Sequence, residues 1–375
     1  MKMHQGKTDC SPREVDYDPR AVERLDALTL DLISNGTVQF GAYLMARRGK
    51  VFAHKSAGRL KRAKDSPDFM PDSLFPIASL TKAFTAAGIW QLLEQGKIHV
   101  TQAVSSVLKE FDTPHHKDIS IFNLLTHTSG LAADSGGFLE PYPRPWNDNI
   151  TPDTWIREHL SGPLQFKRGT VWNYCSKGFQ FLAAVIERVS GRPFDAYVEE
   201  HIWKPLGMTD AHFFLPEEKR DRTASVSDWN DYVINRKRKD PVIPALLGGG
   251  GAICSLPAVY RFAQTLLSRG VFNGTRILQA KTVEAGTKPQ VTDMRCFNWQ
   301  GDPFDGATRV TYGLGLEIDK HCFTTDGTYD HEGAGGVFMY IDPREDFLFT
   351  GFYGDEPWHG ESWIRPLAVA WSGIE

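Results

Sequence analysis

Segments with the composition of β-strands lie near both ends of this chain, and the long stretch between them is mostly helical in pattern. Near the start, residues 38–46 and 51–57 flank a polar, glycine-containing turn, which predicts a hairpin. Three further strands are predicted near the end, at residues 312–318, 337–341 and 347–353, the last two forming a second hairpin. Because a sheet must bury its apolar face against other elements, we predict one antiparallel sheet built from both chain ends and flanked by helices.

Helical periodicity supplies the elements that cover this sheet. Residues 21–33 place apolar side chains at helical spacing and end at an Asn-Gly pair. A second helix is predicted from about Ser79 to Gln95, with Gly96 as its C-cap, and a third over residues 361–371. The chain is therefore predicted to be an α/β protein.

The order of these patterns also predicts the domains. Residues 18–78 and 270–375 form the α/β sheet domain, and residues 79–269 form a mostly helical domain inserted between them. No internal repeat is evident in the sequence.

Composition and charge limit the partners. The chain has 375 residues, of which 41% are hydrophobic, and a formal net charge of -4, so no basic field exists to attract nucleic acid. The basic run at residues 236–239 is interpreted as a solvated loop. We predict no nucleic-acid partner, and the composition says nothing about the oligomeric state.

The sequence also bears on location. Residues 1–17 lack the apolar stretch of a secretory signal, and no apolar run is long enough to span a bilayer, so we expect no membrane partner. Five scattered cysteines without a close pair favour reduced thiols and a cytoplasmic location. A signal peptide removed from the chain would leave the same pattern.

A serine and a lysine three residues apart, Ser79 and Lys82, stand at the start of the second predicted helix. Residues at this spacing share one helix face, so the lysine amine can reach the serine hydroxyl. A lysine can activate a serine only if burial or neighbouring charge lowers its pKa. Ser106 and Lys109 repeat the spacing, and a plain N-cap serine beside an exposed lysine is the commoner meaning of this pattern.

Other catalytic signatures are missing. The sequence has no G-x-S-x-G elbow, no second histidine at zinc-helix spacing after His331-Glu332, and no Walker lysine after the glycine run 248–251. We therefore expect no metal and no cofactor. The glycine run predicts backbone that closely approaches another part of the protein.

Several other motifs, in a fixed order along the chain, favour a catalytic role for the serine–lysine pair. They are residues 75–82 (FPIASLTK), 124–131 (LLTHTSGL), 168–176 (RGTVWNYCS), 205–208 (PLGM), 312–315 (YGLG) and 331–333 (HEG). With these motifs the chain resembles, from about Ala21 onwards, the serine β-lactamase and penicillin-binding protein superfamily. The resemblance is strongest to its class C-like branch of family VIII-type esterases, D-aminopeptidases and acyltransferases. It implies a β-lactamase/transpeptidase-like fold with the active site between the two domains.

The resemblance also implies roles for individual residues. Ser79 is the acylated nucleophile, Lys82 its proton partner, and Tyr174 takes the tyrosine position of the family's Tyr-x-Asn element. The His331-Glu332-Gly333 segment falls where the family has Lys-Thr-Gly or His-x-Gly, on an edge strand facing the nucleophile. The backbone amides of Ser79 and Ala334 then form the oxyanion hole, with His331, Gly333 and Ser176 as substrate-binding residues.

Two departures from the family pattern bear on the substrate. Ser176 replaces the Asn of Tyr-x-Asn, and His331 replaces a lysine whose permanent charge holds a substrate carboxylate. Both favour a carboxylesterase on small esters. A β-lactamase, a D-amino-acid peptidase or amidase, and an acyltransferase remain alternatives with the same site, and a catalytically inactive binding protein remains an alternative of another class.

His127 is interpreted as a residue that fixes a loop through hydrogen bonds. Four aromatic residues are candidates for lining a substrate pocket, although each is as easily part of the core: Trp146, Trp172, Tyr353 and Trp358. Trp146 and Trp358 are the better candidates because they lie in predicted loops, which carry specificity on a rigid scaffold.

Overall fold

The computed structural model describes residues 1–63, 65–132, 152–160, 162–238, 247–297, 309–319, 321–355 and 361–375. Its strands are β1 (His4–Gln5), β2 (Phe40–Arg47), β3 (Lys50–Gly58), β4 (Leu74–Pro76), β5 (Trp172–Asn173), β6 (Ala211–His212), β7 (Ile253–Ser255), β8 (Val271–Phe272), β9 (Thr275–Arg276), β10 (Val291–Phe297), β11 (Arg309–Tyr312), β12 (Glu317–Ile318), β13 (Tyr329–Gly333), β14 (Val337–Asp342) and β15 (Phe347–Tyr353). Its α-helices are α1 (Pro19–Ser34), α2 (Thr81–Glu94), α3 (Ile121–Leu125), α4 (Pro152–His159), α5 (Ser176–Ser190), α6 (Phe194–Val198), α7 (Asp228–Asn235), α8 (Leu256–Leu267), α9 (Ala280–Thr287) and α10 (Glu361–Trp371).

One large sheet joins the two ends of the chain, which confirms the predicted α/β architecture. Within the described residues its strand order is β1-β3-β2-β15-β14-β13-β12-β11-β10-β5. The N-terminal hairpin β2–β3 joins the C-terminal hairpin β14–β15 because β2 pairs antiparallel with β15 along seven residue pairs, from Arg47–Phe347 to Gly41–Tyr353. At the far edge, β5 pairs in parallel with β10.

Both faces of the sheet are covered. On β14, Val337, Met339 and Ile341 belong to one hydrophobic cluster, whereas Phe338 and Tyr340 belong to the other. This split follows from the strand period of two, which sends successive side chains to opposite faces. Helices α1 and α10 cover one face, and α2, α5 and α8 contribute to the larger cluster on the other. The central strands are therefore apolar at nearly every position.

A small three-stranded sheet, β4-β7-β6, leads the chain into helix α2. After β4 a single 3-10 turn, Ala78–Leu80, precedes α2, so the α-helix begins at Thr81, two residues after the predicted start at about Ser79. Ala78 adopts φ +43, a left-handed conformation that costs an L-residue about 1–2 kcal/mol. The tight turn therefore holds Ser79 between a strand end and a helix start.

Three details differ from the sequence predictions. The predicted strand at 312–318 is two strands, β11 and β12, because the intervening turn includes Gly315 at φ +102. Strand β13 is not an edge strand, since it lies between β14 and β12; β12 pairs only with its first half, Tyr329 and Asp330. The basic run is not simply solvated, because the Arg236 guanidinium donates to the carbonyl oxygens of Phe213 (2.6 Å) and Gly251.

No helix in the part of the chain that the structure describes is long and apolar enough to cross a membrane.

Candidate active site

Ser79 and Lys82 meet at the start of α2. The Lys82 Nζ atom donates to the Ser79 Oγ atom over 3.0 Å, with Lys82 0% exposed and Ser79 8% exposed. The three-residue spacing makes this contact possible because the side chains at i and i+3 share one face. A buried ammonium group requires compensating polar contacts, so the surroundings of Lys82 determine what this pair can do.

The glycine run before β7 provides one such contact. Lys82 also donates to the carbonyl oxygen of Gly249 over 2.6 Å, and Thr85 donates to that of Gly248 over 2.7 Å. A Cβ atom at Gly248 would lie 2.6 Å from the Ala183 Cβ and 2.7 Å from the Phe179 carbonyl oxygen. The predicted close approach of this backbone is therefore present, and its contact is helix α2 together with α5.

Tyr174 lies next to the pair, in the residues that link β5 to α5. The Lys82 Nζ atom is 4.8 Å from the centre of the Tyr174 ring, within the range of a cation–π interaction. Tyr174 is half-buried. Tyr174 thus lies beside Ser79 and Lys82 although it is more than ninety positions further along the chain.

His127 lies beneath Tyr174. Its Nδ1 atom accepts a hydrogen bond of 3.1 Å from the Cys175 backbone amide, which confirms that it fixes local structure. Burial lowers the pKa of His127 well below its usual range, and the positive charge of Lys82 acts in the same direction. The imidazole is therefore neutral at neutral pH, so His127 adds no positive charge beside Lys82.

Strand β13 approaches the turn that carries Ser79. A Cβ atom at Gly333 would lie 2.3 Å from the carbonyl oxygen of Ile77 and 3.3 Å from the amide nitrogen of Leu80. Only glycine allows the strand so close to the serine turn. The next residue, Ala334, begins the turn between β13 and β14 and is half-buried.

The other predicted substrate residues are placed as follows. His331 is buried on β13, and its Nδ1 atom is 2.7 Å from the Glu332 carbonyl oxygen. Ser176 is buried at the first position of α5, two residues after Tyr174. His331 therefore lies on the same strand as Gly333. Ser176 begins the helix that follows Tyr174.

The second serine–lysine pair has none of these surroundings. Ser106 and Lys109 are exposed, and the Ser106 hydroxyl donates to the carbonyl oxygen of Ala103 over 2.7 Å. Of the aromatic pocket candidates, Trp172 and Tyr353 are buried at 1% and 0% exposure and belong to hydrophobic clusters, whereas Trp146 and Trp358 lie outside the described residues.

Sequence reasoning missed one component of the site, the carbonyl of Gly249. Its signal was present in the glycine run, but a carbonyl oxygen leaves no side-chain signature. Nor does any pattern connect His127 to the Cys175 amide, because that contact spans 48 positions. Among the described residues, no group of three or more histidine, cysteine, aspartate or glutamate side chains could hold a metal ion.

A large, mainly antiparallel sheet that joins both chain ends, helices on its two faces and a buried serine–lysine pair at a helix start are the architecture of serine hydrolases of the β-lactamase type. The chain belongs to the Beta-lactamase family, whose profile matches residues 32–369. This match confirms the superfamily resemblance that the sequence motifs indicate.

Individual relatives agree with this assignment. The chain is 33% identical over 236 residues to the protein PbpX of Bacillus subtilis (strain 168), covering 62% of this chain and 56% of that protein. It is 32% identical over 211 residues to Esterase EstB of Burkholderia gladioli, covering 52% and 53%. The chain thus aligns with about half the length of each of these two relatives.

The fold has counterparts among solved structures. The hydrolase EstCE1 superposes with a TM-score of 0.76 at 19% identity, covering 94% of this chain and 99% of that one. A family VIII carboxylesterase superposes with the same TM-score, 0.76, at 18% identity, covering 99% of this chain and 100% of that one.

Proposed function

We propose that this chain is a carboxylesterase that hydrolyses small esters through an acyl-enzyme on Ser79. The observation that carries the proposal is the buried hydrogen bond of 3.0 Å between Lys82 Nζ and Ser79 Oγ. A serine hydroxyl becomes a nucleophile when a neighbouring base takes its proton, and this geometry puts a candidate partner within reach. The esterase names of EstB and the family VIII structure support the choice of substrate.

The proposed reaction has two halves. Tyr174, assisted by Lys82, takes the Ser79 proton, and Oγ attacks the ester carbonyl carbon. The resulting oxyanion accepts hydrogen bonds from the amides of Ser79 and Ala334. The bond to the alkoxy oxygen breaks, and the alcohol leaves with the proton. Water then attacks the acyl carbon and gives a proton to the same base. The bond between the acyl carbon and Oγ breaks, the base returns the proton to Oγ, and the carboxylic acid leaves free Ser79.

The domain division belongs to the proposal as well. We propose that residues 18–78 with 270–375 and the insertion 79–269 contribute to one site. The close approach of Gly333, in the first part, to the amide nitrogen of Leu80, in the insertion, supports a site to which both parts contribute.

The test is the intact-protein mass after exposure to acyl donors, with the adduct mapped to a residue. Short-chain p-nitrophenyl esters should add their acyl group to Ser79. Ser79→Ala should abolish the adduct and lower kcat/KM at least about a thousandfold. Lys82→Ala and Tyr174→Phe should each lower it by about 10²–10⁴-fold. Ser106→Ala is the matched control, because it removes the other serine of the same motif and should change neither adduct nor rate.

The same measurement separates the alternatives. Adducts from a chromogenic cephalosporin but not from esters would indicate a β-lactamase or penicillin-binding protein, and turnover of D-amino-acid amides would indicate an amidase. Transfer of the acyl group to an added alcohol or amine would indicate an acyltransferase, and the promiscuous acyltransferase activity of EstCE1 supports this second candidate. A folded protein that no donor labels would contradict the enzymatic proposal and favour a binding protein.

A further inference from the structure

His127 holds the backbone on both sides of Tyr174. Its carbonyl oxygen accepts a hydrogen bond of 2.8 Å from the Asn173 amide, and its Nδ1 atom accepts one of 3.1 Å from the Cys175 amide. The two residues that flank Tyr174 in sequence are therefore both bonded to one histidine. This arrangement restricts the backbone from which the Tyr174 side chain extends.

Ring contacts add a third restraint. The His127 and Tyr174 ring centres are 4.6 Å apart, with their planes inclined by 32°. Three more rings enclose the imidazole at centre distances of 5.1–5.4 Å: Trp172, Phe179 and Tyr312. Because the imidazole is 1% exposed and enclosed by rings, it cannot swing away from Cys175 without displacing its neighbours.

The backbone of His127 is itself in an unfavourable conformation. Its φ of +53 lies in the left-handed region, which a residue other than glycine adopts only where its surroundings compensate. Asparagine tolerates this region better than most residues. Histidine and asparagine are both enriched among the L-residues that adopt this region, so the backbone conformation does not by itself select a histidine.

The second ring nitrogen, Nε2, does not stabilise the folded state either. Because Nδ1 accepts a hydrogen bond, the neutral ring carries its proton on Nε2. This buried Nε2 has no hydrogen-bond partner among the described residues. A buried donor without a partner destabilises the folded state, so the Nε2 atom does not account for a histidine at this position. The polar side-chain contact that the imidazole does make is the hydrogen bond that Nδ1 accepts from the Cys175 amide.

We propose that His127 is a positioning residue that orients Tyr174 for proton transfer with Ser79 through the acceptor at Nδ1. This inference rests on the proposed function, in which Tyr174 takes the Ser79 proton. His127 touches neither the substrate nor Ser79 in this role, and it acts through the Asn173–Tyr174–Cys175 backbone.

Two substitutions separate the acceptor from the ring. His127→Asn places an amide oxygen where Nδ1 stood, keeps the bond to Cys175 and suits the left-handed backbone. His127→Leu fills similar volume without an acceptor. We expect His127→Leu to lower the rate of Ser79 acylation by a p-nitrophenyl ester about 10–100-fold with KM changed less than about twofold, because misorientation affects the chemical step. His127→Asn should recover most of that loss.

A double-mutant cycle then distinguishes positioning from general destabilisation. If His127 acts through Tyr174, His127→Leu should lower the rate little further in a Tyr174→Phe background. The matched control is His54→Leu, which removes another buried histidine. His54 lies on β3, away from Ser79, and its ring is hydrogen-bonded to the Pro71 carbonyl oxygen. It should alter the melting temperature and leave the acylation rate of the folded protein unchanged.

The outcomes are separable. Equal losses in the Asn and Leu variants, additive losses in the cycle, or an unchanged rate in folded His127→Leu would each overturn the positioning role. Should His127→Leu fail to fold, His127→Gln replaces it, because its longer side chain carries the amide to the Nε2 position and should behave as an acceptor loss. An unimpaired Tyr174→Phe enzyme would instead refute the base assigned to Tyr174, which is a failure of the proposed function.

Discussion

Lys82 donates a hydrogen bond of 2.6 Å to the carbonyl oxygen of Gly249, in addition to its bond with Ser79. The glycine run is in turn held on α2, because the Thr81 hydroxyl oxygen accepts a hydrogen bond of 3.0 Å from the Ala252 amide. The Lys82 amine thus bonds both to Ser79, one turn away, and to Gly249, which lies 167 positions further along the chain.

The first prediction concerns this glycine run. Gly248→Ala should destabilise the protein by about 1–3 kcal/mol, because the new methyl group meets the Phe179 carbonyl oxygen and the Ala183 Cβ at less than 3 Å. It should also lower kcat, since the Gly249 carbonyl moves with its neighbour. Gly250→Ala is the stability control, because its Cβ would meet nothing nearer than 3.6 Å. Urea unfolding of both variants checks the prediction, and equal stabilities would contradict it.

The second prediction concerns the approach of β13 to the serine turn. Gly333→Ala places a methyl group 2.3 Å from the Ile77 carbonyl oxygen, so either the strand or the turn must shift. We expect kcat/KM for esters to fall about 10–100-fold, because small displacements of reacting groups are costly. Gly178→Ala, in helix α5, is the control: its Cβ would lie 3.7 Å from the nearest atom and should raise stability slightly. Full activity in Gly333→Ala would show that this approach is dispensable.

The third prediction concerns Glu187. Burial raises the pKa of this carboxyl group from 4.5 to about 7, and Asp195 nearby contributes to the shift. The folded state therefore holds a proton that the unfolded chain releases between these pH values, so stability falls as the pH rises from 4.5 to about 7. Glu187→Gln keeps an acceptor for the Phe194 amide and removes the charge. It should be more stable than the parent by about 1–3 kcal/mol at alkaline pH and nearly equal in acid, as measured by urea unfolding. A stability difference independent of pH would argue against the raised pKa.

The fourth prediction concerns His212 on β6, and its sign is opposite. Burial lowers the pKa of His212 to about 4, and Lys219 acts in the same direction. The unfolded chain takes up a proton near the usual histidine pKa of 6.5, whereas the folded protein does not, so stability is lost as the pH falls from 6.5 towards 4. In His212→Gln this loss should be smaller, by up to about 1.4 kcal/mol per pH unit. If the stabilities of parent and variant changed identically with pH, the lowered pKa of His212 would be ruled out.

The architecture was largely predictable because strand and helix patterns are local. The hairpins β2–β3 and β14–β15 and the helices α1 and α10 lie where period and turn residues predict them. The turn between β11 and β12 was not found, because residues 312–318 place an apolar side chain at every second position, which is the period of a strand, and the backbone conformation of Gly315 interrupts it. The interior position of β13 was likewise hidden, since strand order depends on contacts between distant segments.

For the candidate site, the sequence by itself determined the pairing of Ser79 with Lys82, because three-residue spacing at a helix start brings the two side chains together. It also determined which family the motifs belong to. Only the tertiary structure decided that the Gly249 carbonyl meets Lys82, that Gly333 lies against Ile77, and that His127 holds Tyr174. The physical reason is that these contacts use backbone atoms, which every residue carries, so no residue type records them.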